Sequence, residues 1–478
     1  MIYNDDEPPR QTVDLISSEG LDGNLETRII HKQEAPMEES QFKVLLELKG
    51  VGSKHGRLGV DLVTVLDISG SMRGSKLAKM KLAMQFLVKK LSPSDRLSVV
   101  TFNRKADRLC PLCQINDESR TDIIQKVNEI VSRSSTNTES GLKLALKILG
   151  DRVHTERRRV AIMLISDGME DAESKAVCVS VRDVPVYTFA CGSDCDPEVL
   201  SRISKNSNGG MFAAVPDFDD LNVAFSTALA GLLHVAIEDL TLTIKPLNSS
   251  QLDEVNAGSY PQTKYDTVLK EPVIITFRTL YDRETRRVLL LLTLPKVVED
   301  ESAIKILDIV YKYRVGGKDT LESGTKSIHV TRNDLSTEAE NEEVLAEERR
   351  ISVVSNIKEA RILADRKNLE EARINLVVAK KLLSEVDAIL TAQLDQLFLL
   401  MVSPKTYDEQ GFVFALALEA SHEAQRATTV PGADHFQAGM FNTPHMDLFI
   451  EQARSFDMDP VYKIPTEDED MKIVALVH

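Results

Sequence analysis

Between residues 60 and 67 the chain reads VDLVTVLD, a nearly continuous apolar run through Val60, Leu62, Val63, Val65 and Leu66. Runs of this kind belong to strands buried on both faces, as in parallel sheets, whereas strands with one wet face alternate. The stretch 41–49, QFKVLLELK, predicts a strand lying beside it, across a connection carrying Gly50, Gly52, Gly56 and Gly59. Helical spacing then takes over. Leu77, Met80, Leu82, Ala83, Phe86 and Leu87 mark a helix over 75–91, which Ser92-Pro93 ends. A strand at 96–102, helices at 117–132 and 138–150, and buried-type strands at 160–165 and 184–190 continue the alternation. Such alternation predicts an α/β unit over 41–234, a doubly wound, mostly parallel sheet closed by a helix ending near Leu233.

From residue 235 the apolar period shortens to two. Strands are expected at 240–246, 273–277, 287–294 and 303–313, joined by polar turns, and describe an antiparallel β domain over 235–335. Residues 336–430 read as an α-helical region. An acidic opening at 336–348 suits a helix N-terminus, and two amphipathic segments at 342–365 and 368–400 predict a hairpin, the second through Leu369, Ala372, Leu376, Ala379, Leu382 and Leu383. Residues 1–40 are polar and broken by Pro8-Pro9, which predicts a flexible arm, and 431–478 reads as a loop and acidic tail.

The 478 residues, 42% hydrophobic and 28% charged, suit a globular chain of about three domains. A net charge of −16 argues against a nucleic-acid surface, because phosphate backbones need clustered Lys and Arg. No basic stretch followed by an apolar one opens the chain, and no apolar run approaches a membrane span, so a cytoplasmic, intracellular setting is expected. Cys110, Cys113, Cys178, Cys191 and Cys195 are odd in number and suit free thiols in a reducing compartment. Cys110-Pro-Leu-Cys113 has a zinc-like spacing, but no nearby His strengthens it, and small apolar residues at strand ends are the expected reading.

The first strand stops at Asp67. Asp67, Ser69 and Ser71 place three oxygen-bearing side chains at alternate positions around a turn eased by Gly70, an arrangement suited to a hard cation. Thr136 lies in SSTNT between two helices, and Asp167 follows the strand 160–165. In open α/β sheets ligands bind at the carboxyl ends of strands, which makes a composite site of these loops plausible; a polar turn with no ion is the plain alternative. A phosphate loop fails, because Gly70 and Gly74 are one residue too close and Ser75 precedes Lys76. The Asp67-Ile-Ser69 turn also lacks the paired aspartates of aspartyl-phosphate enzymes. No GxSxG elbow or HExxH pair is present, and no enzyme is expected.

The order DISGS, TNT, ISDG over roughly 42–230 resembles the von Willebrand factor A domain with its metal-ion-dependent adhesion site. The resemblance implies a Rossmann-like fold and Mg2+ or Mn2+ held by Asp67, Ser69, Ser71, Thr136 and Asp167, with a partner's carboxylate completing the shell. Ser134 and Ser135 stand where many members have two glycines. The runs SPSDRLSVV and AIEDL are similar to plant intracellular A-domain proteins, many of which carry a RING finger. Residues before 42 contain no Cys, so a RING is not expected there. A metal-dependent protein-binding module is the implied function. The alternative is a RING-less regulator or subunit in ubiquitin-ligase complexes formed by related RING-bearing A-domain proteins.

Overall fold

The computed structural model describes residues 24–53, 56–133, 135–167, 176–181, 184–192, 197–207, 209–215, 217–264, 271–318, 320–333, 339–428 and 439–477. It opens with β1 (Asn24–His31), β2 (Glu34–Ala35) and β3 (Ser40–Val51). The α/β unit follows as β4 (Gly59–Asp67), α1 (Ser75–Lys90), β5 (Arg96–Phe102), β6 (Ala106–Gln114), α2 (Asp117–Asn128), α3 (Thr138–Gly150) and β7 (Arg158–Ser166). It closes with β8 (Val186–Cys191), α4 (Pro197–Asn206), β9 (Met211–Val215) and α5 (Leu221–Leu233).

These six strands form one sheet in the order β6-β5-β4-β7-β8-β9, parallel throughout except for the antiparallel edge strand β6. Every residue of β4 is buried. Leu62 and Leu66 join a core with Met80, Leu87 and Phe225 on one face, while Val63 and Val65 join Leu142, Ile148 and Leu164 on the other. A strand whose alternate side chains enter two cores has no polar face to show, which is why its sequence reads as a run. The chain leaves β4 toward β5 on one side and returns to β7 on the other. The carboxyl end of β4 is therefore the switch point of the sheet, where a crevice opens between diverging connections.

The strand over 41–49 does not lie beside 60–67. As part of β3 it pairs antiparallel with β1 and with β13 (Thr285–Leu294), and the intervening β10 (Val235–Pro246), β11 (Gln251–Asn256) and β12 (Val273–Tyr281) resume directly after α5. With β14 (Glu301–Arg314), β15 (Leu321–Glu322) and β16 (Lys326–Arg332) these strands make two sheets, β1-β3-β13-β11 and β12-β10-β14-β16-β2. The sheets enclose one core containing Phe42, Val44, Leu46, Ile244, Leu290 and Ile309, which makes them a β-sandwich. The α/β unit is thus inserted between two strands of the sandwich. The alternation in β3, with Phe42, Val44, Leu46 and Leu48 inward, is that of a sandwich strand. Residues 24–31, expected within a flexible arm, are paired along their whole length with β3, since the apolar Leu25 and Ile30 enter cores.

The helical region comprises α6 (Glu342–Asp365), α7 (Leu369–Lys380), α8 (Ala388–Leu400), α9 (Pro404–Thr406), α10 (Phe412–Ala424), α11 (Pro444–Met458) and α12 (Glu467–Val477). The expected second helix over 368–400 is two helices. Asp387 accepts hydrogen bonds from the backbone and hydroxyl of Ser384, closing a turn between them. The acidic tail is also helical in part: Asp470 is buried in an ion pair with Lys90 and accepts a 2.7 Å hydrogen bond from Gln452. Among the described residues no helix is long and apolar enough to cross a membrane.

Candidate metal centre

Asp67 ends β4 with no solvent exposure. Its Oδ1 accepts a 2.8 Å hydrogen bond from the Ser69 amide, and its Oδ2 accepts one of 2.7 Å from the Ser166 hydroxyl. The hydroxyls of Ser69 and Ser71 lie 2.9 Å apart, on the turn that Gly70 opens. Burial pushes the Asp67 carboxyl up to about 6, against the hydrogen bonds from Ser166 and Ser69, and the charge of Asp167 adds to the rise.

Asp167 directly follows β7 and is 1% exposed. Neither of its carboxylate oxygens has a hydrogen-bond partner among the described residues. Among the described residues the cation facing it is the Lys76 ammonium on α1, 3.8 Å from Oδ2, which also lies over the Phe218 ring. A buried carboxylate lacking hydrogen bonds costs several kcal/mol unless a counter-charge offsets it. With the hydrogen-bonded Asp67 carboxylate and the paired hydroxyls, Asp167 forms an all-oxygen donor set of the kind hard divalent cations take, and the residues present fit Mg2+ or Mn2+.

Thr136 is 5% exposed and reaches this edge through its loop, sharing no hydrogen bond with the other four residues among those described. Two contacts hold that loop: the Arg133 amide donates to the Ile68 carbonyl at 2.6 Å, and the Asn137 side chain caps α3 by accepting from the Ser140 amide. Gly141 lets α3 come close to the sheet, since a Cβ there would sit 2.8 Å from Val65 Cγ1. Ser135 adopts a left-handed φ of 71°, a conformation glycine takes more cheaply.

Sequence reasoning assigned no role to Ser166 or Lys76. The signal for Ser166 was available in the register, because Leu66 pairs with Ile165 and the next residues on each strand are Asp67 and Ser166. Lys76 had none, since its place depends on the tilt of α1. Of the zinc-like cysteines, Cys110 is buried in β6 with its sulfur accepting from the Val99 amide, and Cys195 lies outside the described residues. No cluster of three or more His, Cys, Asp or Glu suited to a metal occurs among the described residues.

The family model for the von Willebrand factor type A domain matches residues 61–227. Over 264 residues the chain is 27% identical to the probable E3 ubiquitin-protein ligase WAVH2 of Arabidopsis thaliana, covering 52% of this chain and 35% of that protein. Over 243 residues it is 28% identical to the E3 ubiquitin-protein ligase WAV3 of the same plant, covering 50% of this chain and 31% of that protein. The chain thus spans about a third of the length of these two relatives. A solved structure, a von Willebrand factor type A protein from Catenulispora acidiphila, superposes with a TM-score of 0.65 at 16% identity, covering 85% of this chain and 98% of that one. That likeness extends the shared fold well past the family match. Residues 61–227 of this chain are a von Willebrand factor type A domain.

Proposed function

We propose that the chain is a metal-dependent protein-interaction module that captures a carboxylate of a partner protein at the carboxyl edge of the inserted sheet. Asp67, Ser69, Ser71, Thr136 and Asp167 would hold Mg2+ or Mn2+. The observation that carries the reading is the Asp167 carboxylate, buried, without a hydrogen bond among the described residues, and close enough to Asp67 to raise its proton affinity. Only two carboxylates stand in this donor set, and the hydroxyls are neutral, so a divalent ion there keeps an open preference for an external anionic oxygen. The chain's own part is to hold the donors rigid: Ser166 and the Ser69 amide fix Asp67, and the Arg133–Ile68 backbone bond fixes the Thr136 loop. The test is calorimetric titration with Mn2+ and Mg2+, followed by capture of partners from an extract with and without chelator. Wild-type and Asp67→Ala proteins that take up metal equally would reject it.

A second reading follows from the names of the two plant relatives, both E3 ubiquitin-protein ligases. In that setting the chain would act as a substrate-recruiting or regulatory subunit of a ligase complex, and its metal site would be the contact. Co-purification with a ligase, lost on chelation, distinguishes this from binding unrelated to ubiquitin transfer.

A further inference from the structure

One face of the helical region is covered by no described residue. α7 buries Ala372, Leu376 and Ala379 in a core shared with α6, α8 and α10. On its other side it shows Ile374, Val377 and Val378, which are 55%, 43% and 46% exposed, where a surface helix ordinarily turns polar residues to water. With Phe398, Met401 and Val402 they line an open groove of about 660 Å³. The ends of the groove are charged oppositely, Glu370 at the start of α7 and Lys381 just past its end. Neither forms an ion pair among the described residues, whereas the adjacent Lys380 is held by Asp395 at 2.6 Å.

The stripe is self-complementary at its charged ends and at its centre, while Val378 falls opposite Arg373, which also lines the groove. Glu370, Ile374, Val377, Val378 and Lys381 recur at intervals of three and four, so they share one side of the helix. A two-fold axis crossing α7 between Asn375 and Leu376 would run a second α7 antiparallel to the first. Each Glu370 then faces the Lys381 of the other copy, and each Ile374 faces its Val377. An isologous interface of this kind repeats every contact twice. We propose that the α7–α8 groove is the interface of a homodimer in which α7 of two copies of this chain pack antiparallel, closed at both ends by Glu370–Lys381 pairs. An unrelated amphipathic helix could cover the apolar stripe, but nothing would require its charges to match in mirrored order.

Sedimentation equilibrium of the full chain across about 1 to 100 µM tests this, with mass expected to rise from 53.2 kDa toward twice that value. Glu370→Lys and Lys381→Glu should each raise the dissociation constant about tenfold or more, by placing like charges opposite each other twice. The double variant E370K/K381E should return it to within about threefold of wild type, because the pairs are re-formed with their signs exchanged. Both positions of change are exposed, and unaltered melting curves would separate lost association from lost folding. A mass of one chain at every concentration overturns the proposal. So do charge reversals without effect, or a double variant no tighter than the singles.

Discussion

The Ser166 hydroxyl donates a 2.7 Å hydrogen bond to Asp67 Oδ2, tying together the last residues of two adjacent parallel strands. Both residues are fully buried, so the bond is not exchanged with water. Ser166→Ala leaves one oxygen of a buried carboxylate unsatisfied and is expected to lower stability by about 1–3 kcal/mol. Urea unfolding in the presence of chelator measures this. Ser166→Thr keeps the hydroxyl and should recover most of the loss, an outcome that a mere packing effect would not give.

Metal addition should act through the same carboxylates. An ion that binds only the folded chain stabilises it by about 2.7 kcal/mol at a hundred times its dissociation constant. A rise in melting temperature with Mg2+ or Mn2+ is expected in wild type and absent in Asp67→Ala. Thr136→Ala should reduce the rise without lowering the metal-free melting temperature by a comparable amount, since Thr136 shares no hydrogen bond with the other ligands among the described residues. Equal metal shifts in all three proteins would remove Thr136 and Asp67 from the site.

Much of this edge was legible in the sequence because its signals are local. The buried run of β4, the DxSxS turn and the SerAspGly run that starts at the last residue of β7 can each be read from a few residues, and the parallel order follows from alternation. What escaped depends on contacts distant along the chain. QFKVLLELK carries the same strand signal whichever sheet it joins, and only its pairing with Thr285–Leu294, more than two hundred residues later, assigns it to the sandwich. Likewise the tail reads as an acidic cluster, and Asp470 becomes a buried partner only where Lys90 at the far end of α1 meets it.

The approach of α3 to the sheet offers a test of how the Thr136 loop is placed. A methyl group at Gly141 would lie 2.8 Å from Val65 Cγ1 and 3.0 Å from Phe102 Cδ1, both fully buried. These side chains belong to strands that cannot retreat, so α3 must shift outward. Gly141→Ala is expected to cost about 1–3 kcal/mol despite the higher helix propensity of alanine. It should also weaken metal binding, because the loop ahead of α3 moves with it. Stability measured by denaturant and affinity measured by titration would both have to remain unchanged to refute this packing account.

Acid should loosen the junction between the sandwich and the helical region. Glu284 is buried, which by itself would raise its pKa, but Arg286 and Arg426 outweigh burial and hold the carboxyl down at about 2. Arg426 donates to both carboxylate oxygens, at 2.8 and 3.0 Å, and fixes the segment after α10 onto β12 through the Thr279 carbonyl. A carboxyl whose folded pKa lies below its unfolded one stabilises the fold fully above the unfolded value, here about 4.5, and ceases to do so as pH falls toward 2. At about 1.4 kcal/mol per unit, the contribution lost over that window is about 3 kcal/mol. The urea midpoint of wild type should therefore fall more steeply between pH 4.5 and 2 than that of Glu284→Gln, which carries no titrating group there. At neutral pH the same variant should be destabilised by about 3–5 kcal/mol, because Arg286 and Arg426 lose the charge that faces them. Parallel acid profiles for the two proteins would show that the cluster does not set the acid limit of the fold.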